Sequence, residues 1–400
     1  MPTYNPDLND LHAWDKDFVW HAFTQMAEYE PLLIERGEGV YLFDTDGNRY
    51  IDGSASMWCN VHGHRHPRLD GAITNQLAKV AHTTNLGLSN PTTVLLAQRL
   101  AEITPTGLEK VFFSSDGSSA TEAALKIAFQ YWHQSETEGE THPPQSTSHR
   151  TKFVSLGEAY HGDTLGAIGV GGVDRFTSIF SPLTFESIRV PGPGMTASMS
   201  STGDGGPRTD DSSRRTTAAA TLHELENLFK NQGNEIAALI MEPLVQAAGG
   251  ILVHPPGFLR AVRELTQRFN ILLILDEIAV GFGRTGTMFA CEQEDVSPDI
   301  LCLGKGLTAG YLPMAATITT AAIWKQFLGS HKDGRAFYHG HTFGGNPLAA
   351  AVALESLALF EEEHILEQLP ERIQQLQGHV ARIAKLPHVG DTRQCGLVAG

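Results

Sequence analysis

An aspartate and a lysine each follow a short apolar run in the stretch 271–313. Ile271–Leu275 ends on Asp276, and Ile300–Leu303 is followed by Lys305, which stands between two glycines. Short apolar runs of this kind are typical of buried strands in a parallel sheet, and ligands bind at the carboxyl ends of such strands. A lysine that stands between two glycines at a strand end is well suited to react with another molecule, because its nitrogen is accessible.

The chemistry that fits this pair is that of pyridoxal phosphate. A lysine amine condenses with the aldehyde of this cofactor, and an aspartate pairs with its pyridine nitrogen. Opposite charges about 4 Å apart at an effective dielectric constant of about 20 attract by roughly 4 kcal/mol, which corresponds to about three pKa units. The pairing would keep the ring nitrogen protonated. Taken singly, Asp276 is equally well explained as a strand-end cap and Lys305 as a solvated loop lysine.

A candidate phosphate site lies at the start of a predicted helix. Lys110–Ser114 predicts a strand, and apolar residues recur at helical spacing from about Ser118. The intervening turn, Asp116-Gly117-Ser118-Ser119, would present free N–H groups and the positive end of the helix dipole to an anion. For this turn taken alone, a plain serine N-cap is the stronger interpretation.

The alternation of short apolar strands with helices predicts an α/β fold with a largely parallel sheet. Lys152–Leu156 and Ile236–Met241 are further strand candidates, and Tyr160 follows the first of them. An aromatic ring at that place can stack on a cofactor, with ordinary packing as the alternative. A β-hairpin is predicted around Asp46-Gly47-Asn48. With 400 residues the chain is expected to form two domains.

Composition excludes several classes of protein. The net charge of −16 argues against a nucleic-acid binder. The N-terminus lacks the pattern of a signal peptide, and apolar runs stay well below the roughly 18 residues of a membrane span. Four scattered cysteines fit a reducing, cytoplasmic compartment. His62, His64 and His66 do not match a standard metal-ligand spacing, so hydrogen-bonding roles are favoured. Residues 192–220 are of low complexity and predict a flexible surface insertion.

Several motifs together resemble the class III (fold-type I) pyridoxal phosphate aminotransferases, over essentially the whole chain apart from the insertion. They are WHAFTQM, DGSSATEAALKIAFQYW, YHGDTLGAIGVGG, MEPLVQAAGG, LDEIAVGFGRTG, PDILCLGKGLTAGYLP and YHGHTFGGNPLAAA. The resemblance implies a homodimer with a shared active site and no nucleic-acid or membrane partner. It also implies a large cofactor-binding domain over residues 55–360 and a smaller α+β domain from residues 1–54 and 361–400, with the C-terminal part incomplete.

The resemblance also implies roles for individual residues. Lys305 would hold the cofactor through its aldehyde and later shuttle a proton, and Asp276 would pair with the pyridine nitrogen. Tyr160 and Ile278 would contact the two faces of the cofactor ring. Gly117 and Ser118 would bind its phosphate, with Thr342 contributed by the neighbouring subunit. The residues near the substrate would be Trp58, Tyr160, Arg284, Lys305 and Gly340, and Glu242 would lie behind the site.

Within the family, the motifs are most similar to biotin-pathway members, which aminate 7-keto-8-aminopelargonate (8-amino-7-oxononanoate) to 7,8-diaminononanoate. The amino donor is S-adenosylmethionine or lysine. Members that use S-adenosylmethionine usually carry a tyrosine where this chain has Phe23, and two tryptophans where it has Met57-Trp58, which slightly favours lysine. The alternatives are another class III ω-amine or ornithine-type aminotransferase, and a truncated, inactive cofactor-binding protein, because the family's carboxylate-binding arginine would lie beyond Gly400.

Overall fold

A computed structural model describes residues 7–135, 149–194 and 216–400 of the chain. Most of the low-complexity insertion predicted over 192–220 lies outside the described residues. Among the helices in these ranges, none combines the length and the apolar character that crossing a membrane requires.

Helices and strands alternate along most of the chain. The strands are β1 (Ile34–Glu38), β2 (Tyr41–Asp44), β3 (Arg49–Ile51), β4 (Leu108–Ser114), β5 (Lys152–Leu156), β6 (Ile188–Val190), β7 (Ile236–Met241), β8 (Val245–Gln246), β9 (Leu252–Val253), β10 (Leu272–Asp276), β11 (Ile300–Leu303), β12 (Ala315–Thr320), β13 (Gln394–Cys395) and β14 (Val398–Ala399). The helices are α1 (Leu8–Phe18), α2 (Ala55–Trp58), α3 (Pro67–Leu77), α4 (Pro91–Ile103), α5 (Gly117–Ser135), α6 (Leu165–Val170), α7 (Asp174–Thr177), α8 (Ala218–Gln232), α9 (Phe258–Arg268), α10 (Ala321–Lys325), α11 (Pro347–Glu362) and α12 (Ile365–Ile383).

A seven-stranded sheet in the order β4-β12-β11-β10-β7-β5-β6 forms the centre of the molecule. Its strands are parallel except β12, which runs antiparallel to both of its neighbours. The apolar runs that form β7, β10 and β11 are buried along their whole length, as expected for strands covered by helices on both faces. The predicted mostly parallel α/β fold is confirmed.

The parallel strands bring their carboxyl ends to one edge of this sheet, where the antiparallel β12 begins. The residues that follow β4, β5, β7, β10 and β11 therefore meet there, although they are far apart in sequence. Helix α5 starts at this edge and packs against the sheet through buried residues such as Ala124 and Ile127. The edge is the place where an open α/β sheet binds its ligand.

A smaller antiparallel sheet, β1-β2-β3, precedes the main one. The predicted hairpin is present as β2 and β3, and β1 adds a strand that sequence periodicity did not indicate. A cleft of about 350 Å³ lies between residues Gly39 and Val40 of this sheet and Ile365, Gln368 and Arg372 of α12. Segments from the first and last parts of the chain thus line one cleft, while the predicted domain boundaries stay a prediction.

The C-terminal segment contains two short strands. β13 and β14 pair with each other as a short antiparallel hairpin. This hairpin lies on the segment after β10, because Leu397 N–H donates to the carbonyl of Arg284 at 2.9 Å. Gly396 has a positive φ of 59° and approaches Thr285 so closely that a Cβ atom would lie 2.4 Å from its backbone. The close approach requires glycine at this turn.

Glu277, directly after β10, is fully buried and predicts a pH-dependent stability. Its two oxygens accept hydrogen bonds from Ala290 N–H and Cys291 N–H at 2.7 and 2.8 Å, yet burial raises its pKa to about 7. Between pH about 4.5 and 7 the folded state keeps a proton that the unfolded state has released. The free energy of unfolding should therefore fall as pH rises through this window, by up to about 1.4 kcal/mol per pH unit from this group.

Denaturant unfolding across pH 4.5 to 9 would measure this contribution. Between pH 4.5 and 7 we expect the free energy of unfolding of Glu277→Gln to fall less steeply with pH than that of the wild type, by up to one proton equivalent. Above pH 8 the two curves of free energy against pH should be parallel. Equal slopes for variant and wild type below pH 7 would show that Glu277 is ionised throughout.

Candidate active site

A cavity of about 340 Å³ opens at the carboxyl edge of the main sheet. Its walls come from the segments that follow β4, β5, β7, β10 and β11, from the start of β12 and from α2. The lining side chains and backbone positions include Trp58, Cys59, Asp116, Gly117, Ser118, Tyr160, His161, Gly162, Glu242, Asp276, Ile278, Lys305, Thr308 and Met314.

Asp276 is the last residue of β10, and its carboxylate is almost completely buried. One oxygen accepts a hydrogen bond from Ile278 N–H at 3.0 Å, and the other lies 2.8 Å from His161 Nδ1. Because a carboxylate only accepts hydrogen bonds, Nδ1 carries the proton of this contact. The two bonds fix the direction in which the carboxylate faces the cavity.

His161 is a site residue that the sequence interpretation missed. It follows β5 next to Tyr160, and its ring is buried against Asp276. Its other ring nitrogen, Nε2, has no hydrogen-bond partner within the described residues. The available signal was its place directly after Tyr160 at a strand end, but only the structure shows that it contacts a residue more than a hundred positions away.

Lys305 begins a short 3₁₀ turn, Lys305–Thr308, after β11. Its own φ is +39°, an unusual value for a residue with a side chain. The flanking glycines are explained by packing, since a Cβ at Gly306 would lie 2.9 Å from Phe282 and one at Gly304 would lie 3.2 Å from Ile278. The turn leaves the Lys305 amine in the cavity, 5.5 Å from the centre of the Trp58 ring.

The first turn of α5 faces the cavity, where a phosphate site is predicted. Asp116 caps the helix, since its carboxylate accepts from Ser119 N–H and Oγ–H at 2.9 Å and its carbonyl accepts from Ala120 N–H. Gly117 and Ser118 precede the first helical hydrogen bonds and line the cavity. The helix therefore presents unpaired N–H groups and its positive end to the cavity. Asp116 and Ser119 belong to the cap rather than to the anion contact.

Gly117 allows a test of this site, because a Cβ added there would lie 2.8 Å from Ile278 Cγ2. We expect Gly117→Ala to displace Ile278 or the helix start and to weaken cofactor affinity by about tenfold or more. Gly71→Ala in α3 is the matched control, since its Cβ would meet no atom within 4 Å. Equilibrium titration of the cofactor-free protein with pyridoxal phosphate measures both; equal affinity in the two variants would contradict the assignment of the phosphate end.

The backbone of Tyr160 is hydrogen-bonded to the buried carboxylate of Glu242 at the carboxyl edge of the main sheet. Glu242 accepts from Tyr160 N–H at 3.1 Å and from Ala247 N–H at 2.9 Å, and burial raises its pKa to about 7. The Tyr160 hydroxyl donates to Asp163 at 2.7 Å. Burial and that carboxylate raise the pKa of Tyr160 above its usual range, so the phenol stays protonated.

Arg284 and Trp58 lie next to each other at the cavity mouth. Arg284 Nη2 donates to the Trp58 carbonyl at 3.0 Å. Burial lowers the pKa of the guanidinium, and no carboxylate lies within ion-pair distance of it among the described residues. Trp58 ends the turn Ala55–Trp58, in which all four residues have positive φ values between 47° and 71°. Each left-handed residue of this kind costs roughly 1–2 kcal/mol.

Four residues discussed from the sequence do not line this cavity, namely Gly340, Thr342, Phe23 and Arg284. Gly340 and Thr342 are exposed on the loop before α11, where a Cβ at Gly340 would lie 2.7 Å from Leu86. Phe23 is largely exposed and packs edge-on against Phe176 at 5.2 Å. The single chain therefore brings together at the cavity the predicted residues Lys305, Asp276, Tyr160, Ile278, Gly117, Ser118, Glu242 and Trp58. Arg284 is bonded to the Trp58 carbonyl.

Comparison with known proteins identifies the family. The model for "Aminotransferase class-III" matches residues 24–400. The chain belongs to the class III aminotransferases. Enzymes of this class are pyridoxal phosphate-dependent aminotransferases, which confirms the predicted enzyme class and cofactor.

Individual relatives are similar over nearly the whole chain. The adenosylmethionine-8-amino-7-oxononanoate aminotransferase of Aquifex aeolicus is 49% identical, over 98% of this chain and 83% of that protein. The protein of the same name from Geobacter sulfurreducens is 47% identical, over 100% and 84%. A crystal structure of the Methanocaldococcus jannaschii protein of that name has a TM-score of 0.87 at 40% identity, covering 98% of this chain and 84% of the other.

Proposed function

We propose that this chain is a transaminase that aminates 8-amino-7-oxononanoate to 7,8-diaminononanoate in biotin biosynthesis. The observation that carries the proposal is the 49% identity with the Aquifex aeolicus enzyme over 98% of the chain. The site supports it, because the cavity holds an amine, a buried carboxylate and a helix N-terminus at one sheet edge.

The residues of the cavity fit pyridoxal phosphate. The helix start at Gly117 and Ser118 suits the phosphate, and the lack of a side chain at Gly117 leaves the room that a Cβ would fill against Ile278. Tyr160 and Ile278 supply an aromatic and an aliphatic surface for the two faces of the ring. The buried carboxylate of Asp276 suits the pyridine nitrogen. The Lys305 amine suits the aldehyde.

Each residue of the cavity then has its own role in transamination. The bound cofactor supplies the electron sink that makes a substrate Cα–H acidic. Asp276, oriented by His161 and the Ile278 N–H, stabilises positive charge at the ring nitrogen. Lys305 Nζ would move the proton between the substrate carbon and the cofactor carbon, as a positioned general base and acid. Trp58 covers the amine from the substrate side.

Substrate contacts are expected at the cavity mouth. Arg284 presents a buried guanidinium beside Trp58, and a guanidinium binds a carboxylate in planar, bidentate fashion. Both partners of the reaction carry a carboxylate, and Arg284, which is bonded to the Trp58 carbonyl although it does not itself line the cavity, is the residue proposed to bind it.

The sequence around Phe23 and Met57 favours lysine over S-adenosylmethionine as the donor. Phe23 offers no hydroxyl to a donor, and its ring contacts Phe176, which in turn packs edge-on to Tyr160 at 6.3 Å. Met57 is 65% exposed and does not line the cavity.

A homodimer with a shared site is part of the proposal. Thr342 and Gly340 do not reach the cavity of their own protomer, and Thr342 would contact the phosphate of the partner's site. Large apolar side chains are exposed near these loops and at the N-terminus, among them Trp20 at 90%, Tyr338 at 70% and Phe343 at 59%. Exposed apolar surface of this extent is typical of subunit interfaces.

The test is an amination assay with pyridoxal phosphate and 8-amino-7-oxononanoate, with lysine or S-adenosylmethionine as the sole donor. We expect diamine product with one donor, and lysine is the donor we favour. Product from S-adenosylmethionine alone would overturn the donor assignment. Absence of product from both would overturn the acceptor.

A second candidate is an ω-amine transaminase. The crystal structure of an (S)-enantioselective omega-transaminase from Thermomicrobium roseum has a TM-score of 0.86 at 34% identity, over 98% of this chain and 83% of the other. Turnover of ornithine, γ-aminobutyrate or a simple chiral amine, with none of 8-amino-7-oxononanoate, would favour it. A protein that binds the cofactor but turns over none of these would instead be an inactive relative.

A further inference from the structure

The left-handed turn Ala55–Trp58 needs support from outside itself. Its four φ values are 51°, 47°, 68° and 71°, and none of its residues is glycine. Residues with a Cβ avoid this conformation because the side chain crowds the following carbonyl. Such a conformation persists only where surrounding groups hold it in place, and it is concentrated at functional sites.

The carboxylate of Asp52 supplies this support. One oxygen accepts from Ser56 N–H at 3.0 Å, and the other accepts from Ser56 Oγ–H at 2.7 Å. The carboxylate therefore holds both polar groups of the second residue in the turn. Burial by itself raises the pKa of Asp52, but the bonds from Ser56 and His64 bring it down to about 2. Asp52 is thus a permanent anion, and its hydrogen bonds are charge-assisted.

His64 anchors Asp52 to the small sheet. Its Nε2 lies 2.9 Å from Asp52, and Asn60 Nδ2 lies 3.2 and 3.3 Å from its two ring nitrogens. Nε2 carries the proton of the contact with Asp52, because a carboxylate only accepts hydrogen bonds. The backbone of His64 also exchanges two hydrogen bonds with Gly39, at 2.7 and 3.0 Å. Asp52 is therefore attached to a fixed part of the molecule.

The turn determines the positions of two groups at the cavity mouth. Trp58, its last residue, places its ring 5.5 Å from Lys305 Nζ, and the Trp58 carbonyl accepts from Arg284. We propose that Asp52 is a positioning residue that, through the turn, sets the locations of Trp58 and Arg284 and thereby the affinity for substrate. The inference rests on the proposed function, in which these two residues contact the substrate.

Asp52→Asn tests the proposal, because it keeps the shape of the side chain but replaces one accepting oxygen by a donor. We expect KM for the carboxylate substrate to rise about tenfold while kcat changes less than threefold, since Lys305 and Asp276 are untouched. Asp44→Asn is the matched control. Asp44 accepts similar bonds from Asn48 and Tyr50 in the same small sheet but does not contact the turn.

A double-mutant cycle separates positioning from general stability. In a Trp58→Ala background, Asp52→Asn should raise KM less than twofold, because the group it positions is gone. If Asp52→Asn unfolds, Ser56→Ala removes only the hydroxyl bond and should raise KM about threefold. An equal effect of Asp52→Asn with and without Trp58, a loss carried by kcat alone, or an effect matched by Asp44→Asn would overturn the proposal.

Cys59 provides a measurement that does not depend on which substrate is used. Its thiol donates to the Ser56 carbonyl at 2.8 Å and lines the cavity. Loosening the turn should raise the rate of Cys59 alkylation by about fivefold in cofactor-loaded Asp52→Asn protein, measured by mass spectrometry of its peptide. A faster alkylation without turnover of 8-amino-7-oxononanoate by the wild type would support the positioning role and reject the proposed function. An unchanged alkylation rate would overturn the positioning role itself.

Discussion

Replacing Lys305 by alanine is expected to lower kcat for transamination by at least about a thousandfold. The side chain is proposed both to bind the cofactor aldehyde and to move the substrate proton, and a positioned proton-transfer group alone contributes about 10²- to 10⁴-fold. No other lysine lines the cavity within the described residues. Steady-state rates with saturating cofactor and donor measure the loss.

A matched change elsewhere distinguishes this effect from loss of a charge. Lys79 is an exposed lysine next to α3, far from the cavity lining, and Lys79→Ala should leave kcat unchanged. The Lys305→Ala protein should still bind the phosphate end of the cofactor at Gly117 and Ser118, with weakened affinity. Normal turnover by Lys305→Ala would reject the whole assignment of the site.

Replacing Asp276 by asparagine is expected to lower kcat by about a thousandfold while leaving the fold intact. An amide cannot stabilise a protonated pyridine nitrogen as a carboxylate does, and the lost attraction of roughly 4 kcal/mol corresponds to about three powers of ten. The amide oxygen can keep the bond from the Ile278 N–H, and the amide NH2 can donate to His161 Nδ1 once that ring carries its proton on Nε2. The loss should therefore appear in kcat and not in thermal stability.

Asp299 offers the contrasting carboxylate. It accepts from Leu273 N–H at 2.7 Å and forms a bidentate pair with Arg263, at the opposite end of the strands from the cavity. We expect Asp299→Asn to lower the melting temperature with kcat within about twofold of the wild type. An Asp276→Asn variant that loses stability and activity in parallel, as a misfolded protein would, contradicts the proposed role for this carboxylate.

Much of the fold follows from local sequence. β5, β7 and β11 match the predicted strands residue for residue, because unbroken apolar runs have few alternatives once both faces of a sheet are buried. The start of α4 also follows from local sequence, since Asn90 caps the helix and Pro91 occupies its first turn. The same logic placed Asp276 and Lys305 at strand ends, where the topology brings them to one edge.

The remaining features depend on contacts that sequence spacing does not encode. His161 is held in the site by its hydrogen bond to Asp276, which lies on another strand. The left-handed turn before Cys59 runs against the intrinsic preference of every residue in it, so only the Asp52 contacts reveal it. Gly340 and Thr342 were associated with the site by resemblance alone, and the fold of one protomer leaves them outside its cavity.

Chemical trapping on Lys305 is the most direct test of the central claim that this residue carries the cofactor. The holoenzyme would be reduced with borohydride, digested, and its peptides analysed by mass spectrometry. The account predicts one cofactor mass on the peptide that contains Lys305, and loss of that label when the amino donor is added before reduction. A label on another lysine, or no label on a protein that retains bound cofactor, would contradict it.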